Sequence, residues 1–459
     1  MENPCHMCMP MGGILALKGI ERAMVIVHGS QGCSTYMRRH IAEHFNEPID
    51  VGSSSLNEKG TVYGGEANLR KAIDNITRVY QPGLIGVVTT CLAETIGEDI
   101  ARIVSDYRRE NNLATPIITA NTPGYGGSHS EGYWLTVRKL VETLATEAER
   151  HNKVNVFVPN ISPADIRELK RLLTAMDIEF TMCPDISDTL DRPYLSTYNK
   201  LSEDGTPVAD ICRMSGARAT IELGVTVPGS VSPGKYLADT FGVPLYTVPI
   251  PIGIENTDVF MAALEAISGK KRPVDIETER GRLIDAMIDS HKYNFYGRSA
   301  IFGDPELVYA VTRTCLENGV RPVVVTGDKG GLAAKLLPQN ELTAETVVLS
   351  DPDFSLVQQQ ALAGEANIAI GHSDGRFLTE RNDIPLVRLG FPIHDRVGGQ
   401  RLLSVGYIGT ALFLDRITNT LLENKYKDYR KNMYEKYFVE PQNELQERGW
   451  PLYVERANR

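Results

Sequence analysis

The chain contains no P-loop of the form G-x-x-x-x-G-K-[ST], so it lacks the phosphate cradle of that class of nucleotide hydrolase. No G-x-G-x-x-G opens a helix after a strand either. Thr326-Gly327-Asp328-Lys329-Gly330-Gly331 is Gly-rich but out of order, which argues against dinucleotide binding. Neither a Ser-His-Asp set nor a catalytic carboxylate pair stands out. Apolar runs stop short of the roughly 20 residues that a membrane-spanning helix needs. The first residues, Met1-Glu2-Asn3-Pro4, carry neither the basic stretch nor the apolar core of a secretory signal. Acidic residues outnumber basic ones, 58 to 48, for a net charge of −10. Broad nucleic-acid binding needs the opposite sign, whereas protein partners with basic docking patches suit this one. The 7 cysteines are an odd number without paired-loop spacing, and a chain of 459 residues needs no disulfides, so a reducing cytoplasm is expected. Short internal repeats and low-complexity segments are also missing.

What remains is an ordinary globular composition, 42% hydrophobic and 23% charged, in a chain too long for one hydrophobic core. From residue 80 onward, short β-branched runs alternate with helical segments. The runs include Leu84 to Thr90, Val154 to Pro159, Ala300 to Asp304, Pro322 to Asp328, Thr346 to Asp351 and Ile368 to His372. Continuous apolar strands bounded by Gly, Pro, Asp or Asn suit a parallel sheet covered on both faces. Ser162-Pro163, Asp304-Pro305 and Asp353-Phe354 read as helix starts, and Glu277 to Met287 as a connecting helix. The expected fold is α/β, with three Rossmann-like parallel-sheet domains at 1–150, 151–290 and 291–425. A helical or irregular C-terminal tail at 426–459 follows.

Three cysteines stand out, each among small residues: Cys8-Met9-Pro10-Met11-Gly12-Gly13, His28-Gly29-Ser30-Gln31-Gly32-Cys33 and Thr89-Thr90-Cys91-Leu92-Ala93-Glu94. Thiolate sulfur is the preferred ligand of iron–sulfur clusters, and nearby glycines let backbone N–H groups approach them. Intervals of 25 and 58 residues are too wide for a local zinc knuckle or ferredoxin run. The residues alone leave both a cluster site and three unrelated thiols open.

These segments resemble the β-type (K-like) subunit of the nitrogenase component 1 family. The matching stretches continue through His44-Phe45-Asn46-Glu47-Pro48, Ser53 to Glu58, Tyr63-Gly64-Gly65, Cys91 to Asp99, Thr122 to His129 and Gly390 to Arg396. The resemblance spans nearly the whole chain and is densest before residue 130. It implies that Cys8, Cys33 and Cys91 bind an iron–sulfur cluster shared with a homologous α-type subunit. That cluster is a P-cluster of 8Fe-7S type, with 4Fe-4S as the alternative. The implied assembly is an α2β2 heterotetramer served by an ATP-dependent 4Fe-4S reductase protein. Electrons then pass to a metallocluster in the α-type partner, and this chain carries no substrate site.

Gly124 departs from the resemblance, since β subunits often have a Ser there that ligates iron in the oxidised cluster. Cys5 has no counterpart and forms a nominal C-x-x-C with Cys8. Cys183, Cys212 and Cys315 read as core thiols. His28 reads equally as a cluster neighbour or a structural histidine, and Glu94, Glu98 and Asp99 as helix caps. The full thiol set, Gly124 and only seven residues before Cys8 suggest an enzyme outside nitrogen fixation. Methylthio-alkane reductase, which cleaves C–S bonds of small thioethers, comes first. A cofactor-assembly scaffold of the N type and a true nitrogenase β subunit are the alternatives.

Overall fold

The computed structural model describes residues 7–197, 199–327, 342, 345–427 and 429–438. Cys5, most of the Gly-rich turn after Thr326 and the end of the tail lie outside them. Thirteen strands form three sheets among these residues, and every pairing is parallel. The first sheet runs β2 (Gly52–Ser53), β1 (Ala23–His28), β3 (Leu84–Thr89), β4 (Ile117–Ala120). The second runs β6 (Phe180–Cys183), β5 (Val154–Phe157), β7 (Ala219–Leu223), β8 (Leu245–Val248). The third has β9 (Arg298–Ile301) at its centre. β10 (Arg321–Gly327) and β11 (Val347–Ser350) lie on one side, β12 (Ile368–Gly371) and β13 (Leu386–Arg388) on the other.

Central strands β1, β3, β5, β7 and β12 are buried throughout, as strands covered on both faces must be. The alternation begins earlier than expected, at β1. The helix starts at Ser162 and Asp353 form with their side chains capping Asp165 N–H and Ser355 N–H. The connecting helix runs Val274–Asn294, longer than the Glu277–Met287 segment. One apolar core passes through all three sheets, from Met11 to Leu421. Among the described residues, no helix is long and apolar enough to cross a membrane.

The Met9–Lys18 helix lies at the centre and packs against the His129–Leu144 helix at backbone contact. A Cβ on Gly12 would lie 1.7 Å from the His129 carbonyl oxygen, and one on Gly132 2.0 Å from that of Met9. These glycines serve helix packing, not approach to a ligand. Gly12→Ala is therefore expected to destabilise the protein by about 3 kcal/mol, since backbone cannot yield as a side chain can. The comparison is Gly281→Ala in the Val274–Asn294 helix, where nothing lies within 4 Å of the added methyl. Thermal melts should show a clear fall for the first and none for the second; equal midpoints would contradict the close crossing.

Candidate metal centre

The first sheet reverses its strand order between β1 and β3, and the crevice beyond the carboxyl ends of such strands is where open α/β sheets bind ligands. Cys33 follows β1 in the first turn of the Gln31–Phe45 helix. Cys91 follows β3 as the first residue of the Cys91–Thr95 helix. Cys8 is the N-cap of Met9–Lys18. The three thiols thus sit at helix N-termini, where the helix dipole favours negative charge, rather than in loops.

The two strand-end turns touch directly. A Cβ on Gly29 would fall 2.0 Å from Thr90 Oγ1, and Thr90 N–H donates to the His28 carbonyl at 3.1 Å. Ser54 Oγ accepts from Gly29 N–H at 3.0 Å, while Leu56 N–H donates to the Gly29 carbonyl at 2.8 Å. The Ser53–Glu58 stretch therefore cradles the turn that presents Cys33.

A third loop closes over Cys91 and Cys8. Thr122 N–H donates to Thr89 Oγ1 at 2.8 Å, and the Thr122 hydroxyl returns to the Thr89 carbonyl at 2.9 Å. Glu94 joins the same tie, accepting from Thr89 Oγ1 and Asn121 Nδ2, each at 2.6 Å. Gly124 N–H then donates to Cys91 Sγ at 3.1 Å. A Cβ on Gly124 would lie 2.7 Å from Cys8 Sγ and 3.2 Å from Cys91 Sγ. This glycine leaves open the space between two sulfurs, and its amide meets one of them. Ser30 Oγ donates to Cys33 Sγ at 3.4 Å.

Burial, then the electrostatic influence of the neighbouring Cys91 and Cys33, pushes the Cys8 thiol up to about 11. A bare Cys8 keeps its proton at neutral pH, and a metal must displace it. Among the described residues, no three His, Cys, Asp or Glu side chains form a cage for a single ion. The donor type at all three positions is cysteine sulfur, the ligand that iron–sulfur clusters use. Cys91 is exposed, and Cys8 and Cys33 are half-buried. Tyr36 in the Cys33 helix and Tyr125, next to Gly124 in the chain, are also exposed.

The remaining candidates separate cleanly. Cys183 and Cys315 are buried and pushed up to about 12 by burial, as core thiols are, while Cys212 is half-buried. His28 is fully buried, with Nδ1 2.9 Å from Ser54 Oγ and Nε2 3.8 Å from Glu98 Oε2. It braces the Cys33 turn from within. Of the three expected caps only Asp99 caps a helix, accepting from Arg102 N–H at 3.0 Å. Glu98 instead accepts from Gly65 N–H, and Glu94 serves the Thr89–Asn121 tie, because partners from other segments reach both first. Sequence reasoning missed Thr89, Asn121 and Thr122 as a unit; the Thr89-Thr90 pair before Cys91 was the available signal.

Residues 8–422 match the family described as nitrogenase component 1 type oxidoreductase. The nitrogenase molybdenum-iron protein beta chain of Clostridium pasteurianum is 36% identical over 94% of this chain and 96% of its own. The vanadium-iron beta chain of Trichormus variabilis is 32% identical, with the same coverage. The solved structure of nitrogenase Cp1 at pH 6.5 superposes with a TM-score of 0.88 at 35% identity, covering 93% of this chain and 94% of that one. Another chain, solved as nitrogenase Cp1 at pH 5, is 16% identical with a TM-score of 0.67 and shares the fold alone. This chain therefore belongs to the nitrogenase component 1 family of oxidoreductases, as a β-type subunit.

Proposed function

We propose that Cys8, Cys33 and Cys91 are this chain's ligands to an iron–sulfur cluster shared with an α-type subunit in an α2β2 heterotetramer. The observation that carries the reading is the convergence of three helix-terminal thiols, Cys8 and Cys91 flanking Gly124 and Cys33 near enough to act electrostatically on Cys8. Three thiolates from one chain are half a set for an 8Fe-7S cluster; 4Fe-4S is the alternative. When bound, such a cluster takes up and releases electrons one at a time. The chain's own residues orient and shield it. The Gly124 amide stabilises negative charge on Cys91, Ser30 does so at Cys33, and the Thr89–Glu94–Asn121 tie fixes the loop. With no P-loop in the sequence, energy input falls to a separate ATP-dependent 4Fe-4S reductase protein. The assembly belongs in the cytoplasm on this reading.

For the overall reaction, the reading is reductive C–S cleavage of small methyl thioethers, releasing methanethiol. Gly124 favours it, since the position offers no side-chain oxygen to iron. The second reading is dinitrogen reduction, favoured by the 36% identity to the Clostridium beta chain. The short stretch before Cys8 does not separate the two, because the match to that beta chain spans 96% of its length. The purified core should hydrolyse no ATP and turn over nothing alone. With reductase protein and ATP, headspace chromatography should detect methanethiol from a methyl thioether, and an ammonia assay under dinitrogen should stay near background. Ammonia without methanethiol assigns the second reading. ATP hydrolysis by the core alone contradicts both. Neither product, together with transfer of a bound cofactor to an apo-enzyme, makes the chain an assembly scaffold.

A further inference from the structure

We infer that His129, backed by Asp304 from the helix start that follows the third sheet's central strand, is a positioning residue for Cys8. The inference rests on the cluster reading above. Cys8 reaches the site from a short extended segment with two attachments. It pairs as an antiparallel bridge with Ser128, and Met7 N–H just before it donates to His129 Nδ1 at 3.3 Å. Ser128 and His129 open the His129–Leu144 helix, held by a reciprocal capping box between Ser128 and Glu131. The segment carrying Cys8 is therefore hung from the first residues of that helix.

His129 is itself held from behind. Because Nδ1 accepts from Met7, the ring hydrogen of neutral His129 sits on Nε2. Nε2 lies 2.7 Å from Asp304 Oδ1, a short electrostatic contact without hydrogen-bond alignment, with both side chains buried. Asp304 occupies the N-cap of the Pro305–Glu317 helix, where an Asp side chain ordinarily accepts from that helix's own first turn. Here it makes no such bond and faces His129 instead. The preceding Gly303, at φ 136°, gives the backbone the conformation that aims it. Phe391 packs beside the imidazole, its ring centre 6.1 Å away. A carboxylate at the helix start after the third sheet's central strand thus stands against the ring that holds the backbone beside the Cys8 thiol. Outer partners of this kind ordinarily set the orientation of a metal ligand.

Asp304→Asn keeps the shape and removes the charge that faces the ring at Nε2. In the co-expressed complex, this variant should retain its iron on purification yet lose it to a chelator on the order of tenfold faster than wild type. Its cluster midpoint potential should move upward, because a buried negative charge is gone, with an altered EPR line shape. Asp304→Glu should recover part of each effect. A merely structural pair moves none of these readouts. Wild-type chelation rate, potential and EPR in Asp304→Asn, with any change confined to the melting temperature, overturn the inference and leave the cluster reading intact. Wild-type iron content and EPR in Cys8→Ala overturn both.

Discussion

Alanine at Cys8, Cys33 or Cys91 should collapse the iron content of the co-expressed complex and abolish electron delivery to the partner. Losing an outer-shell partner typically costs a metal site about 10–100-fold; losing a ligand costs more, so retention should fall by more than about 100-fold. The three variants should not look alike. Cys91 is exposed and lies against the Gly124 amide, so its loss leaves an N–H donor facing a gap. Cys8 is the N-cap at the central helix crossing, so its loss should also loosen the Met9–Lys18 helix start. Iron analysis with EPR on anaerobically purified complexes measures both effects. Alanine at Cys183 or Cys315, both buried in the core, should cost stability without changing the EPR signal. Full iron in all three site variants would refute the ligand assignment.

The second large effect is the dependence on a partner. Three thiolates are an incomplete set, and metal binding adds to folding free energy only where the set is complete. Tyr36, three residues after Cys33, and Tyr125, next to Gly124, are exposed, and tyrosine is enriched where proteins meet. Expressed alone, the chain should be nearly free of iron and prone to association. Co-expressed with its α-type partner, it should carry a full cluster. Iron per chain, measured by mass spectrometry of both preparations, decides the matter. A stable lone chain with a complete cluster would sink the shared site.

Much of this was legible in the residues, for reasons that differ by element. Strands such as Leu84–Thr89 and Val154–Phe157 declare themselves as apolar runs, because both their faces are covered. β7 hides, since Glu222 interrupts Ala219–Leu223; that carboxylate is buried and satisfied by the Ser232 hydroxyl and Gly234 N–H. β8 hides because, as an edge strand, it is only partly buried. The thiols were visible as residues, their convergence only through family likeness. Nothing local couples His44 to Ile393, yet the Ile393 N–H donates to His44 Nδ1 at 2.8 Å across 349 residues. The same holds for Asp304, whose Asp-Pro context reads as a cap while its side chain is spent on His129. Local pattern announces what a residue can do, and distant partners decide which option it takes.

The most direct test of the central claim is diffraction from the co-expressed complex at the iron absorption edge. Anomalous density should place iron about 2.3 Å from the sulfurs of Cys8, Cys33 and Cys91, a distance carried over from zinc–thiolate bonds, at the boundary with the α-type chain. Iron absent from that boundary, or bound with any of the three sulfurs left free, would contradict the account.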